Sequence, residues 1–317
     1  MSSFRFSGRS SARAFVLGAT ALAAAFLAVG FVGVERYGNN YWLYRGFPPP
    51  SDPAYVTQRG VEQRIAVTSP ALGGRNQEVY VYLPPGYDAH PNKRYPVVYL
   101  LHGFPGRPLA FLLTVRLGVV EDELYAKGRG QPVILVMPFG STGTFTDKEW
   151  ADGVRTGDDW ATFVSRDLVQ AIDARYRTVA APAGRAIAGL SEGGYGAINI
   201  ALHNPHEFKV VESWSGYERA AHVRSVFGRD LENVAYNSPL DTLARAAPAL
   251  RRAHVFFWFY SGMDDPLRVQ NREFAEELKR LGIAHRYLVF RGGHNWALWR
   301  GQATRELLAA MTRLAHA

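Results

Sequence analysis

Nine residues, Gly189-Leu190-Ser191-Glu192-Gly193-Gly194-Tyr195-Gly196-Ala197, set a serine among glycines. They lie between a short apolar run, Arg185-Ala186-Ile187-Ala188, and a stretch of helical character from Ala197 to His203. G-x-S-x-G between a strand and a helix is the context of a nucleophile elbow. Such a turn leaves no room for a Cβ beside it, which accounts for Gly189 and Gly193. It holds the serine in a strained backbone conformation with Oγ projecting from the sheet edge. The N–H of Glu192, at the start of the following helix, then points toward a developing oxyanion.

A serine becomes a nucleophile when a base takes its proton, and the base needs an orienting acid. Elbows of this kind are followed in the chain by Asp or Glu and then His. His294 stands in Arg291-Gly292-Gly293-His294-Asn295-Trp296, just past the last expected strand, where a glycine-rich loop can carry an imidazole over the sheet edge. His203, His206, His222, His254, His285 and His316 fall in expected helices, strands, the insertion or the tail. The acid is sought in Ser261-Gly262-Met263-Asp264-Asp265-Pro266-Leu267. Asp265 before Pro266 is also an ordinary helix start. One oxygen cannot easily serve both roles, so Asp265 is preferred and Asp264 stays open as the alternative. A second oxyanion donor is expected from His102-Gly103-Phe104-Pro105-Gly106, where the Phe104 N–H can turn into the site and His102 braces the loop. No H-x-x-x-H or H-E-x-x-H is present, and Asp147, Glu149 and Asp152 read as a solvated loop, so no metal is expected. A dinucleotide fingerprint is missing after the first strands, and no cofactor is expected either.

Strands alternating with helices must position these groups. Val61 to Thr68 and Gln77 to Leu83 alternate as a half-exposed antiparallel pair, joined at Gly73-Gly74. Pro96 to Leu101 and Pro132 to Met137 are continuous apolar runs, as buried parallel strands are. Trp160, Phe163, Val164, Leu168, Ile172 and Tyr176 recur at helical spacing, with Asp158 or Asp159 as cap. Strands follow at Phe208 to Ser213, His254 to Tyr260 and Ala284 to Phe290. A helix bearing Leu267, Phe274, Leu278 and Leu281 lies between the last two, and another bearing Leu307, Leu308, Met311 and Leu314 closes the chain. The order predicts one α/β domain over 61–317 with a mainly parallel sheet and helices on both faces. Residues 216–252 break the rhythm with an Arg- and Ala-rich helical insertion, a candidate cap over the site.

The 317 residues, 47% hydrophobic and 20% charged, describe a globular protein with a sizeable core. Without cysteine there is no disulfide, thiol catalysis or cysteine metal site. Arg5, Arg9 and Arg13 supply three of the eight net positive charges, and no long basic run follows, which argues against nucleic-acid binding. After this basic tail (1–13), residues 14–34 are uncharged and long enough to span a bilayer as a helix. The arginines before the span keep that end in the cytoplasm and place the rest outside it. An uncleaved anchor is favoured over a signal peptide cut at Ala28-Val29-Gly30. Residues 35–60 hold Tyr37, Tyr41, Trp42, Tyr44 and Phe47, then Pro48-Pro49-Pro50, and read as a stiff extended linker.

At these residues the chain resembles the Putative esterase family of α/β-hydrolases. The family includes S-formylglutathione hydrolases, enterochelin esterases, feruloyl esterases and antigen 85 mycolyltransferases. The marks are LPPGY at Leu83 to Tyr87, YPVVYLLHG at Tyr95 to Gly103, GLSEGGYGA around Ser191, GMDDP at Gly262 to Pro266 and GGHNWALWR at Gly292 to Arg300. Thr146 to Trp160 also looks like secreted actinobacterial members. The resemblance implies an α/β-hydrolase fold with Ser191 as nucleophile, Asp265 as acid, His294 as base and oxyanion amides at Phe104 and Glu192. It implies a serine esterase acting on a small-molecule, lipid or sugar acyl ester, with the membrane as partner through the first helix. An antigen 85-like acyltransferase acting on an envelope sugar is the alternative, and a non-catalytic envelope-binding protein a third reading. Formylglutathione is a poor substrate candidate, because the cytoplasmic enzymes lack an N-terminal anchor. The acid in antigen 85 proteins is glutamate, so the aspartate here leans toward the esterases.

Overall fold

The computed structural model describes residues 8–140, 149–154, 158–223, 227 and 230–315. The chain divides into two units, Met1–Pro48 and Pro49–Ala317. In the first, helix α1 spans Gly8–Tyr44. From Arg13 onward it is long and apolar enough to cross a membrane, a test that a signal sequence also passes. It runs through Glu35 to Tyr44, so the first part of the stretch expected to be an extended linker is helical. Extended chain begins with Pro48-Pro49-Pro50, whose rings cannot continue a helix.

The second unit is built on a sheet of order β1-β2-β4-β3-β5-β6-β7-β8 among the described residues. β1 (Val61–Ser69) and β2 (Arg75–Leu83) pair antiparallel from Val61↔Leu83 to Ser69↔Arg75. The turn between them uses Gly73 and Gly74, both at positive φ, as the sequence predicts. β2 joins β4 (Ile134–Pro138) antiparallel, and from there the sheet is parallel. β3 (Val97–Leu101) and β5 (Arg185–Leu190) are its middle. β6 (Val210–Trp214), β7 (Phe256–Gly262) and β8 (His285–Phe290) continue to the far edge. Every residue of β3, β4 and β5 is buried, which is why these runs are continuously apolar rather than alternating.

Apolar layers cover both faces of the sheet. One gathers Tyr99, Ile187, Phe163 and Phe274, and the other Leu100, Trp214, Leu298 and Leu307. A short turn at Ala110–Leu113 and helix α2 (Leu117–Ala126) fill the connection from β3 to β4, where the sequence pattern gave no helix. The helix expected from Trp160 to Tyr176 forms as α3, in segments Trp160–Thr162, Phe163–Leu168 and Val169–Arg175, the middle one π-wound. Its expected caps are corrected. Asp158 pairs with Arg75, and Asp159 makes no side-chain cap bond. Asp152 does the capping, accepting from the Thr162 N–H at 2.9 Å and the Thr162 hydroxyl at 2.6 Å. Helix α4 (Glu192–His203) follows β5, and α5 (Leu231–Tyr236) and α6 (Pro239–Arg252) fall in the 216–252 insertion. α7 (Arg268–Arg280) and α8 (Trp296–Met311) complete the unit.

Candidate active site

The site forms where β3, β5, β7 and β8 end. Ser191 lies between the last residue of β5 and the first of α4, with φ 55 and ψ −122. A non-glycine residue there costs about 1–3 kcal/mol and persists only where its surroundings hold it. Here they do: the Ser191 N–H donates to the Trp214 carbonyl at 2.9 Å, and its own carbonyl accepts from Gly194 and Tyr195 at 2.9 and 3.1 Å. The glycine requirement is steric. A Cβ on Gly193 would stand 1.8 Å from the Leu101 carbonyl oxygen, and one on Gly189 would stand 2.3 Å from Gly193.

His294 sits in the loop after β8, and its imidazole bridges two partners. Nε2 is 2.9 Å from Ser191 Oγ, and Nδ1 is 3.2 Å from Asp265 Oδ2. The acid loop and the histidine loop are tied together, since the N–H groups of Met263 and Asp264 donate to the carbonyls of Phe290 and Gly292. Asp265 does not cap the next helix, which begins at Arg268, but Oδ1 accepts from the Leu267 N–H at 2.9 Å in the turn before it, so this contact and the one to His294 use different oxygens. The Asp265 side chain has no exposed surface, while that of His294 keeps 27%. Burial works to raise the Asp265 pKa, but bonds from His294 and the Leu267 amide outweigh it and hold the carboxyl below its ordinary value. Asp264 is exposed and has no contact with His294 among those described.

The loop after β3 packs against the elbow. A Cβ on Gly103 would lie 3.1 Å from the Ser191 Cβ. Phe104 follows at 42% exposure, and Glu192 is buried at the start of α4. His102 braces this loop. It is buried, its Nε2 lies 3.1 Å from the Gly140 N–H, and its Nδ1 lies 2.9 Å from the Gly103 carbonyl. That pair of partners requires the Nδ1–H tautomer. Trp150 Nε1–H donates to the His102 carbonyl at 3.0 Å. Glu149 corrects the expectation of a solvated loop, since it is buried beside Trp150 with both at positive φ. Asp147 lies outside the described residues, as do Thr146, Lys148 and residues 155–157 of the Thr146-to-Trp160 stretch.

Trp258 is buried and packs on Tyr260. Trp299 stands edge-on to His294, with ring centroids 5.1 Å apart at 85°. Trp296 packs on Trp299 in the same manner at 4.9 Å. The insertion contacts the elbow helix through Tyr195, which stacks on Tyr217 at 4.6 Å and donates to the Asn237 carbonyl at 2.8 Å. Sequence spacing alone could not show the Trp299 and Tyr217 contacts, because both depend on how distant loops fold back.

Comparison with known proteins accords with this geometry. The model of the family described as Putative esterase matches residues 69–310. Esterase Rv1288 of Mycobacterium tuberculosis is 31% identical over 252 residues, covering 70% of this chain and 53% of its own. The chain thus spans about half the length of the curated relatives it matches. A solved ferulic acid esterase is 25% identical with a TM-score of 0.71, covering 81% of this chain and 100% of its own. S-formylglutathione hydrolase from Staphylococcus aureus gives a TM-score of 0.64 at 19% identity, covering 80% and 99%.

Proposed function

The chain belongs to the Putative esterase family and has the α/β-hydrolase fold, and from that premise we propose that it is a serine hydrolase of carboxylic acyl esters. Ser191 Oγ attacks the ester carbonyl while His294 Nε2 takes its proton. Ionised Asp265 accepts from Nδ1–H, fixing the tautomer that leaves Nε2 free to act as a base, and stabilises the imidazolium. The N–H groups of Phe104 and Glu192 receive the oxyanion. His294 then returns the proton to the departing alcohol, leaving an acyl-enzyme on Ser191. Water, activated by the same imidazole, releases the acid.

The observation that carries this reading is the continuous line from Ser191 Oγ through His294 to buried Asp265, at 2.9 and 3.2 Å. The strained serine, held against glycines that admit no Cβ, supports it. In the same reading α1 anchors the chain and the second unit works outside the cytoplasm, consistent with the arginines that precede the apolar run. Hydrolysis of p-nitrophenyl esters by the full chain tests the chemistry. Activity is expected in the parent and a fall of at least about 10³-fold in Ser191→Ala. Full activity in that variant would remove Ser191 from the mechanism.

A further inference from the structure

Away from the site, the open edge of the sheet carries a groove of about 380 Å³ between β8 and α8. Trp258, Leu288 and Phe290 form its floor, and Arg286, Arg305 and Arg313 stand around it. The guanidiniums lie on aromatic surface: Arg305 is 5.5 Å from the Phe290 ring centre, and Arg313 is 3.8 Å from that of Phe256. Their hydrogen bonds go to neutral oxygens, Arg305 to Gln302 and Arg313 to the Ala309 carbonyl and the Thr312 hydroxyl. None of the three is ion-paired with a carboxylate among the described residues.

Two acids lie in the buried layer beneath, and one of them, Glu212, offsets part of the charge on Arg313. Glu212 is in register with Trp258, and Glu306 accepts from the Tyr260 hydroxyl at 2.6 Å. Burial raises both carboxyls well above their ordinary range. Burial lowers the Arg313 pKa, Glu212 beneath attracts its guanidinium and Arg286 repels it, while Arg286 and Arg305 have no carboxylate partner among the described residues. An occupant must therefore carry negative charge at one end and apolar surface at the other. In the proposed function α1 lies in a membrane, and lipid is then the amphiphile this chain meets.

We propose that this groove binds an anionic phospholipid, its phosphate among the three guanidiniums and its upper acyl chain on Trp258, Leu288 and Phe290. Lipid capture here stands apart from the ester chemistry and uses none of the residues assigned to it.

Native mass spectrometry of the full chain in detergent tests this, with dioleoylphosphatidylglycerol or dioleoylphosphatidylcholine added. The parent is expected to retain phosphatidylglycerol at roughly tenfold lower lipid concentration than phosphatidylcholine. Arg286→Glu/Arg313→Glu should abolish that preference, while Arg272→Glu, on the exposed face of α7, should keep it. Arg305→Glu alone gives an independent reading should the double variant fold poorly. Lipid held by α1 is the same in every variant, so equal phosphatidylglycerol retention in parent and groove variants overturns the proposal. A polyglutamate peptide that displaces phosphatidylglycerol from the parent, and binds only when the three arginines are present, overturns it in favour of an acidic protein partner.

Discussion

Asp265 divides its carboxylate between two duties, one oxygen on the Leu267 amide and the other on His294. The sequence alone left Asp264 and Asp265 open, because a helix cap and a histidine partner look like rivals for one side chain. Only the backbone path of the loop shows that the Leu267 amide and His294 each take their own oxygen. Asp265→Asn should keep the contact to the Leu267 amide but disturb the tautomer, lowering kcat by about 10⁴-fold with the fold intact. Equal kcat in the variant would remove Asp265 from that role. The Asp265 pKa is depressed, so its contribution to stability is present above the unfolded value, about 3.9, and is lost as pH falls through the folded value. The buried acids have the opposite sign. Burial raises Glu306, so its contribution is complete below about pH 4.3 and is lost as pH rises toward the folded value. Glu306→Gln, which can still accept from Tyr260, should therefore raise Tm at pH 8 by at least about 2 °C and leave it unchanged near pH 4. A gain of the same size at both pH values would show that proton uptake is not the cause.

At the scale of elements, the site was legible where local sequence dictates local geometry. Gly189 and Gly193 declare the elbow because their neighbours leave no space for a Cβ, and the glycines before His294 mark its loop. Gly193→Ala should give insoluble protein or a folded protein without esterase activity, since backbone at Leu101 cannot retreat from a Cβ placed 1.8 Å away. Soluble, active Gly193→Ala protein would contradict that close approach. Elements decided by tertiary contact were not legible. Helix α2 holds Glu121 and Asp122 against the body, with Glu121 accepting from the Val133 N–H and Asp122 from the Tyr82 hydroxyl, so no clean apolar stripe announces it. The cap of α3 comes from Asp152, across a loop, rather than from the adjacent aspartates. Asp152→Ala should cost about 1 kcal/mol, or about 2–4 °C in Tm, with activity per folded molecule unchanged. A loss smaller than 1 °C would place the cap elsewhere.

For the whole molecule, the sequence leads one to expect a basic tail, an apolar span, a linker over 35–60 and one α/β domain over 61–317, and the chain divides near Pro48. The boundary differs from expectation in one respect, because the helix continues through Glu35 to Tyr44 and ends where Arg45 and Gly46 turn to positive φ. If α1 is an anchor, the full chain should stay in the membrane pellet after alkaline carbonate washing, and release into the supernatant would speak for a cleaved signal. The central claim, that Ser191 is an activated nucleophile served by His294, rests on distances that one reagent can interrogate. The full chain, in detergent, should take up a single fluorophosphonate adduct mapped to Ser191 by intact mass and peptide analysis. Ser191→Ala and His294→Ala should take up none. An unlabelled but folded parent, or equal labelling of Ser191 in His294→Ala, would contradict the account.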